Sequence, residues 1–310
     1  NEAIDYEAMA QWSAENIKRH LGIPTRIITN KDISVTGSNS RWVDDYNSTV
    51  TWHNESRTDA YSLSPWDRTL VLDADYVVAS DQLRTVLESP LDFMCHKDAY
   101  DVTGKDSFAG LNVFGRHRMP MWWATVMMFR KSTRAQMIFE TMSMIKKNWN
   151  HYRRLYANHR ETYRNDHALS IALNTVNGHT DANNSIAWPL SSLTPEHELT
   201  CVGQDVYHIR YTDSENRVRN ISVAHRDFHA MGKKQLDVLM KMKTQSGKQI
   251  VLNKLNFAKN AAIPICLFFI VAAHGAQKGE LSKAGVKPSN SNSASPAASP
   301  NIKVADNVRG

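Results

Sequence analysis

Apolar positions along the chain fall into two kinds of pattern, one helical and one fit for buried strands. Ala10, Ala14, Ile17 and Leu21 recur at helical spacing, and Gly22 and Pro24 end the repeat. Arg26-Ile27-Ile28-Thr29 then reads as a strand. Short apolar runs follow at 69–72, 91–96 and 121–129, each the length of a strand covered on both faces. A short helix is predicted over Asp81–Leu87, capped by Ser80 or Asp81. Helical spacing returns after Ser132 (Met137, Phe139, Met144, Ile145) and continues to about Tyr163. It recurs over Asn165–Asn174 and stops at Asn177-Gly178. Short strands are expected at 186–190, 206–211 and 217–223, then a His-rich turn and a last amphipathic helix to about Lys243. Strand alternating with helix predicts an α/β fold built on a mostly parallel sheet flanked by helices. Such folds normally begin with a strand, so the opening helix suggests a fragment that lacks its first strand.

Between these elements lie segments without a period. Residues 30–60 are polar and irregular, with one short strand expected near Ser48–His53. Residues 97–120 form a long loop with charges of both signs, a length usual for functional loops. The strongly apolar run 261–273 is shorter than the ~20 residues that span a bilayer and contains Pro264. It is expected to complete a core as a buried strand or helix, with contact to a membrane as the alternative. Beyond Lys278 the chain is Ser, Asn, Ala, Pro and Lys, too poor in apolar surface to fold. The expected organisation is therefore one main folded domain over 1–245, a linker with the apolar segment over 246–276, and a disordered tail over 277–310.

Composition narrows this picture only slightly. A chain that is 42% hydrophobic and 22% charged is an ordinary globular protein. The formal charge of +6 favours a phosphate-bearing or polyanionic partner. Three widely spaced cysteines, Cys95, Cys201 and Cys266, exclude a cysteine zinc site or a disulfide framework. They suit a reducing, cytoplasmic compartment.

The candidate chemistry starts at Thr69-Leu70-Val71-Leu72-Asp73-Ala74-Asp75. In an extended chain residues i and i+2 point the same way, so Asp73 and Asp75 project together from the end of a buried strand. Burying one unpaired carboxylate is expensive, so the pair must reach solvent or a cation. A hard divalent ion prefers such oxygens and keeps positions open for phosphate. A third ligand is sought among His208, His225 and His229. His225 and His229 lie four apart and can share a helical face. Lys233 and Lys234 follow directly and can take diphosphate oxygens.

These residues carry a resemblance. Leu72-Asp73-Ala74-Asp75, the strand Trp123-Ala124-Thr125-Val126-Met127, the helix led by Asp166 with Leu173-Asn174, and His229-x-x-Gly232 occur in this order. Over roughly residues 5–235 the chain resembles the metal-dependent GT-A glycosyltransferases. The similarity is to the glycogenin and lipopolysaccharide galactosyltransferase family and its bacteriophage-encoded relatives. The resemblance implies Asp73, Asp75 and His229 as ligands of Mn²⁺ or Mg²⁺, and a nucleotide-sugar donor across the strand ends. It further implies Lys233 or Lys234 at the diphosphate, Ala124 and Thr125 against the donor, and Asp166 as the catalytic residue beside the sugar. Three positions depart from the family pattern. Gln235-Leu236-Asp237 replaces Lys-Pro-Trp, Ala124-Thr125 replaces an Asn-x-Gly, and His167 replaces a Gln. Sugar identity and stereochemical outcome therefore stay open.

Two other readings fit the residues. Paired carboxylates also serve nucleotidyl transfer, which releases pyrophosphate. Residues 146–164 hold six basic residues and four aromatics (Trp149, Tyr152, Tyr156, Tyr163) against Glu161 alone. Such a stretch is either a solvated helix with its aromatic side on the core or a surface for nucleic acid. On the second view the acceptor is a modified DNA base, or the domain only binds nucleic acid. Otherwise the acceptor is a saccharide or a protein.

Overall fold

A computed structural model of the chain describes residues 6–28, 41–43, 49–51, 55–157, 162–180, 183–232, 234–237, 240 and 269–272. In chain order the elements are α1 (Tyr6–Leu21), β1 (Thr25–Ile28), β2 (Arg41–Val43), β3 (Thr49–Thr51), a 3₁₀ turn (Glu55–Asp59), α2 (Ala60–Leu63), β4 (Arg68–Asp73) and β5 (Tyr76–Val77). Next come α3 (Leu83–Leu87), β6 (Phe93–His96), β7 (Ala99–Asp101), β8 (Val113–Phe114), β9 (Met119–Pro120), β10 (Trp123–Arg130), α4 (Thr133–Lys147), α5 (Trp149–Tyr156) and α6 (Asn165–Val176). The chain continues through β11 (Leu190–Leu193), β12 (Glu198–Gly203), β13 (Val206–Thr212), β14 (Val218–Ala224), β15 (Phe228–Ala230) and β16 (Phe269–Ala272).

The fold is mixed α/β, but the expected mostly parallel sheet is not what forms. The five-stranded central sheet, in order β1-β16-β4-β10-β6, pairs every neighbour antiparallel. Strands β1, β4 and β6 run the same way, and β16 and β10 run back between them. Among the described strands, parallel pairing occurs where β11 lies between β7 and β15 in the four-stranded sheet β5-β15-β11-β7, and a single parallel bridge joins Cys95 of β6 to Ser185. The physical reason lies in the runs themselves. Leu70, Val71, Leu72, Val126, Met127, Met128 and Phe129 are all fully buried. A strand covered on both faces is apolar throughout whichever way its neighbour points, so the pattern carries no direction.

Helices cover this sheet. In α1, Met9, Ala10, Ile17 and Leu21 are buried, and the helix stops at Gly22, whose φ of 64° is the left-handed conformation of a C-terminal cap. The predicted helix to Tyr163 divides in two. Ser132 caps α4 by accepting from the Ala135 N–H at 3.2 Å, and Asn148 closes it by donating its amide to the Met144 carbonyl at 2.9 Å. The expected helix at Asp81 begins two residues later, with Ser80 Oγ accepting from the Gln82 N–H at 3.2 Å. The segment 97–120 is less irregular than its composition suggests, holding β7 and the β8–β9 hairpin. Of the apolar run 261–273, Phe269–Ala272 forms β16 inside the central sheet, pairing with β1 and β4. Residues 246–268 and 273–310 otherwise lie outside the described residues. Among the described residues no helix is long and apolar enough to cross a membrane.

Candidate metal centre and its surroundings

Asp73 ends β4, and a two-residue turn carries Asp75 into β5. Strand β15 lies antiparallel to β5 in a register that sets His229 opposite Tyr76. The Ala230 N–H donates to the Asp75 carbonyl at 2.9 Å, which pins the two strands at the carboxylates. One oxygen of the buried Asp227 fixes the far end of the pair. It accepts from the N–H groups of Ala79 and Ser80, both at 2.8 Å, and from the Ser80 hydroxyl at 2.9 Å. The result brings ligand atoms of Asp73, Asp75 and His229 within 4.8 Å of one another, with His229 Nε2 3.4 Å from Asp75 Oδ1.

The electrostatics suit this role. Burial pushes the His229 imidazole down to about 4, with Asp166 working the other way and Arg57 in the same direction. At neutral pH the ring is therefore uncharged and keeps a lone pair, as a ligand must. Two carboxylates and a neutral imidazole form an oxygen-rich donor set that fits a divalent cation. The other two histidine candidates are elsewhere. His208 is exposed on β13, and His225 is exposed in a turn at φ 48°, so the helical face expected for His225 and His229 does not exist. The β12–β13–β14 meander around them is a separate antiparallel sheet, and its first strand, β12, has no signal in the residue pattern.

Arg57 is the functional-site residue that the residue pattern does not reveal. Its side chain is 4% exposed, forms an ion pair with Asp73 and donates to the Ala124 carbonyl at 2.7 Å. Burial lowers its pKa to about 10, against the pull of Asp166 and Tyr163. It lies in a polar stretch with no period, so the only signal is a lone arginine 16 residues before a carboxylate pair.

Asp166 joins the same network through β10. Four steps along β10, from Trp123 to Met127, span one step of β6, His96 to Cys95. This bulge takes Ala124 out of the ladder. Its N–H donates to Asp166 Oδ1 at 2.9 Å, while its carbonyl takes the Arg57 bond. Arg164 holds the other Asp166 oxygen at 3.0 Å. Ala124 and Thr125 are buried, and Ala124 enters the network through its backbone. Lys234 is exposed one turn beyond the His229 strand, and Lys233 lies outside the described residues.

Gln235 clamps the turn that follows β15. Its amide donates to the carbonyls of Thr194 and His197, both at 2.8 Å, and its oxygen accepts from the Gly232 N–H at 3.2 Å. A side chain at Gly232 would come within 2.9 Å of Gln235 and 3.1 Å of Pro195, which accounts for the glycine.

In a second acidic and histidine cluster, Asp101, Glu196 and His197, the ligand atoms also lie within 4.8 Å of one another. No protein-family model matches the chain, and neither a curated protein nor a solved structure does.

Proposed function

We propose that the chain is a glycosyltransferase that moves a sugar from a nucleotide-diphosphate donor, with Mn²⁺ or Mg²⁺ held by Asp73, Asp75 and His229. The observation that carries this reading is the convergence of two carboxylates and an uncharged imidazole beside Asp166 and Arg57. When bound, the ion neutralises charge that builds on a departing diphosphate. Arg57 adds a buried cation beside that charge and holds Asp73 in place. Lys234, and Lys233 before it, supply further positive charge for the phosphates. Asp166 is fixed by the Ala124 N–H and by Arg164, so it orients the sugar with little freedom of its own.

Isothermal titration of nucleoside diphosphates in the presence of Mn²⁺ tests the reading. Wild type is expected to bind, and Asp75→Ala is expected to lose at least a hundredfold in affinity. Equal binding by the two proteins removes the metal role. A product assay separates the reaction from nucleotidyl transfer, since release of pyrophosphate in place of nucleoside diphosphate overturns glycosyl transfer.

A further inference from the structure

We infer that the β8–β9 hairpin and helix α5 together form a binding surface for single-stranded nucleic acid. In α5 the side facing the core carries Trp149 and Arg153, both buried, with Trp149 edge-on to Tyr163 at 5.6 Å. That side is structural. The opposite side is exposed and carries His151 and Arg154. Between the two sides, Tyr152 and Tyr156 are half-buried and stack at 6.4 Å with 15° between their planes.

The hairpin adds its cations to the same place. Gly115, at φ 66°, lies so close to the Tyr156 carbonyl that any side chain there would collide with it. Its neighbours Arg116, His117 and Arg118 are all exposed. Among the described residues, no carboxylate pairs with Arg116, Arg118 or Arg154. The hairpin thus meets the end of α5 at Tyr156, and the two elements bring to one region three exposed arginines and a half-buried tyrosine pair packed on the core, in a chain of formal charge +6. Guanidinium groups take phosphates, and ring faces receive bases of any sequence. A stacking platform between cations favours a single strand over a duplex, whose bases are already stacked.

The surface borders the candidate centre. Phe114, on the hairpin, stacks on His167 at 4.4 Å, and His167 follows Asp166 directly. If the glycosyltransferase reading holds, a base of the bound strand is the acceptor. Binding itself does not depend on that reading.

Fluorescence anisotropy of a labelled 20-nucleotide DNA oligomer, run as a salt series on the full chain, tests the inference. Wild type is expected to bind with an affinity that falls steeply with salt. Combining Arg116→Ala, Arg118→Ala and Arg154→Ala is expected to weaken binding at least tenfold and to reduce the salt slope by about 2, near 0.7 for each phosphate no longer neutralised. Tyr152→Leu is expected to weaken binding about tenfold without changing the slope. The single exposed variant Arg154→Glu repeats the charge test where folding is not at risk. Titration of nucleoside diphosphate with Mn²⁺ is expected to be unchanged in all the variants, so a failed metal site and a failed surface are told apart. Absence of binding by wild type, or an unchanged slope in both arginine variants, overturns the inference. Equal competition by heparin, or equal binding to anionic vesicles, overturns it in favour of a general polyanion surface.

Discussion

Asp73, Asp75 and His229 on one side, and Asp101, Glu196 and His197 on the other, offer nearly the same ligands at nearly the same spacing. What surrounds them differs. Asp101 is fully buried and both its oxygens are occupied by fixed donors. Oδ1 accepts from the Thr103 N–H at 2.9 Å and its hydroxyl at 2.7 Å. Oδ2 accepts from the hydroxyls of Ser107 at 2.7 Å and Thr194 at 3.1 Å, with His197 Nε2 at 3.2 Å. Burial alone would raise this carboxyl, but the hydrogen bonds from Thr103 and Ser107, and the nearby His197, hold it below its ordinary value. Asp73 instead meets the Arg57 guanidinium, and among the described residues no backbone N–H or hydroxyl donates to it. A carboxylate whose lone pairs are spent on fixed donors is a structural knot that ties a loop, a strand end and a turn. One that faces a cation is matched to charge and can exchange that cation for another. Ligand type and spacing are common to the two clusters, and the partners of Asp73 and Asp101 are what tell them apart.

The largest effects should separate the two clusters. Direct Mn²⁺ binding, read by electron paramagnetic resonance, is expected to fall at least a hundredfold in Asp73→Asn and to stay unchanged in Asp101→Asn. Thermal unfolding should reverse the order. Asp101→Asn leaves buried donors without an acceptor and is expected to cost about 3 kcal/mol, while Asp73→Asn costs less. Mn²⁺ affinity lost in Asp101→Asn would erase the distinction.

Replacing the cation tests what Arg57 does beside the first cluster. Arg57→Met removes the donor to the Ala124 carbonyl and is expected to destabilise the chain by about 2 kcal/mol and to weaken nucleoside diphosphate binding roughly tenfold. If Arg57 only shields Asp73, metal affinity without nucleotide would instead rise.

Acid should act through the histidines. Burial lowers His96, His167 and His229 each to about 4, so the folded chain resists protons that the unfolded chain accepts near 6.5. Stability is expected to hold above pH 6.5 and to fall as pH drops toward 4. Each proton contributes roughly 1.4 kcal/mol per pH unit. Burial raises Asp227 to about 6, and its proton uptake in the folded state offsets one of the three. A denaturant midpoint that stays flat from pH 6.5 to 4 would contradict this balance. The smallest effect is expected from His208→Ala and His225→Ala, both exposed, which should leave Mn²⁺ binding and melting temperature unchanged.

Much of the local structure was legible in the pattern of residues. Helix α6, the apolar cores of β4 and β10, and the place of Asp73 at the end of β4 follow from spacing, because periods of 3.6 and 2 are properties of the local backbone. Asp75, by contrast, lies beyond the strand in a turn that the period of 2 does not describe. Strand direction was not legible, since β10 buried on both faces looks the same in either sense. Nor was the bulge at Ala124, which depends on pairing with β6 across 28 residues of sequence, counted from His96.

The candidate site divides along the same line. The sequence by itself determined that two carboxylates follow a buried apolar run and that a histidine and a glycine follow far downstream, because these are statements about residue type and short-range geometry. Only the tertiary structure decided that His229, on a strand and not a helix, is the histidine beside them, that Arg57 neutralises Asp73, and that Asp101 is already satisfied. The contacts that decide them reach from 16 positions, between Arg57 and Asp73, to more than a hundred, between Asp75 and His229, and only part of the Asp101 network is local. Their energies come from burial and from which donors arrive, and neither is written in the neighbouring sequence.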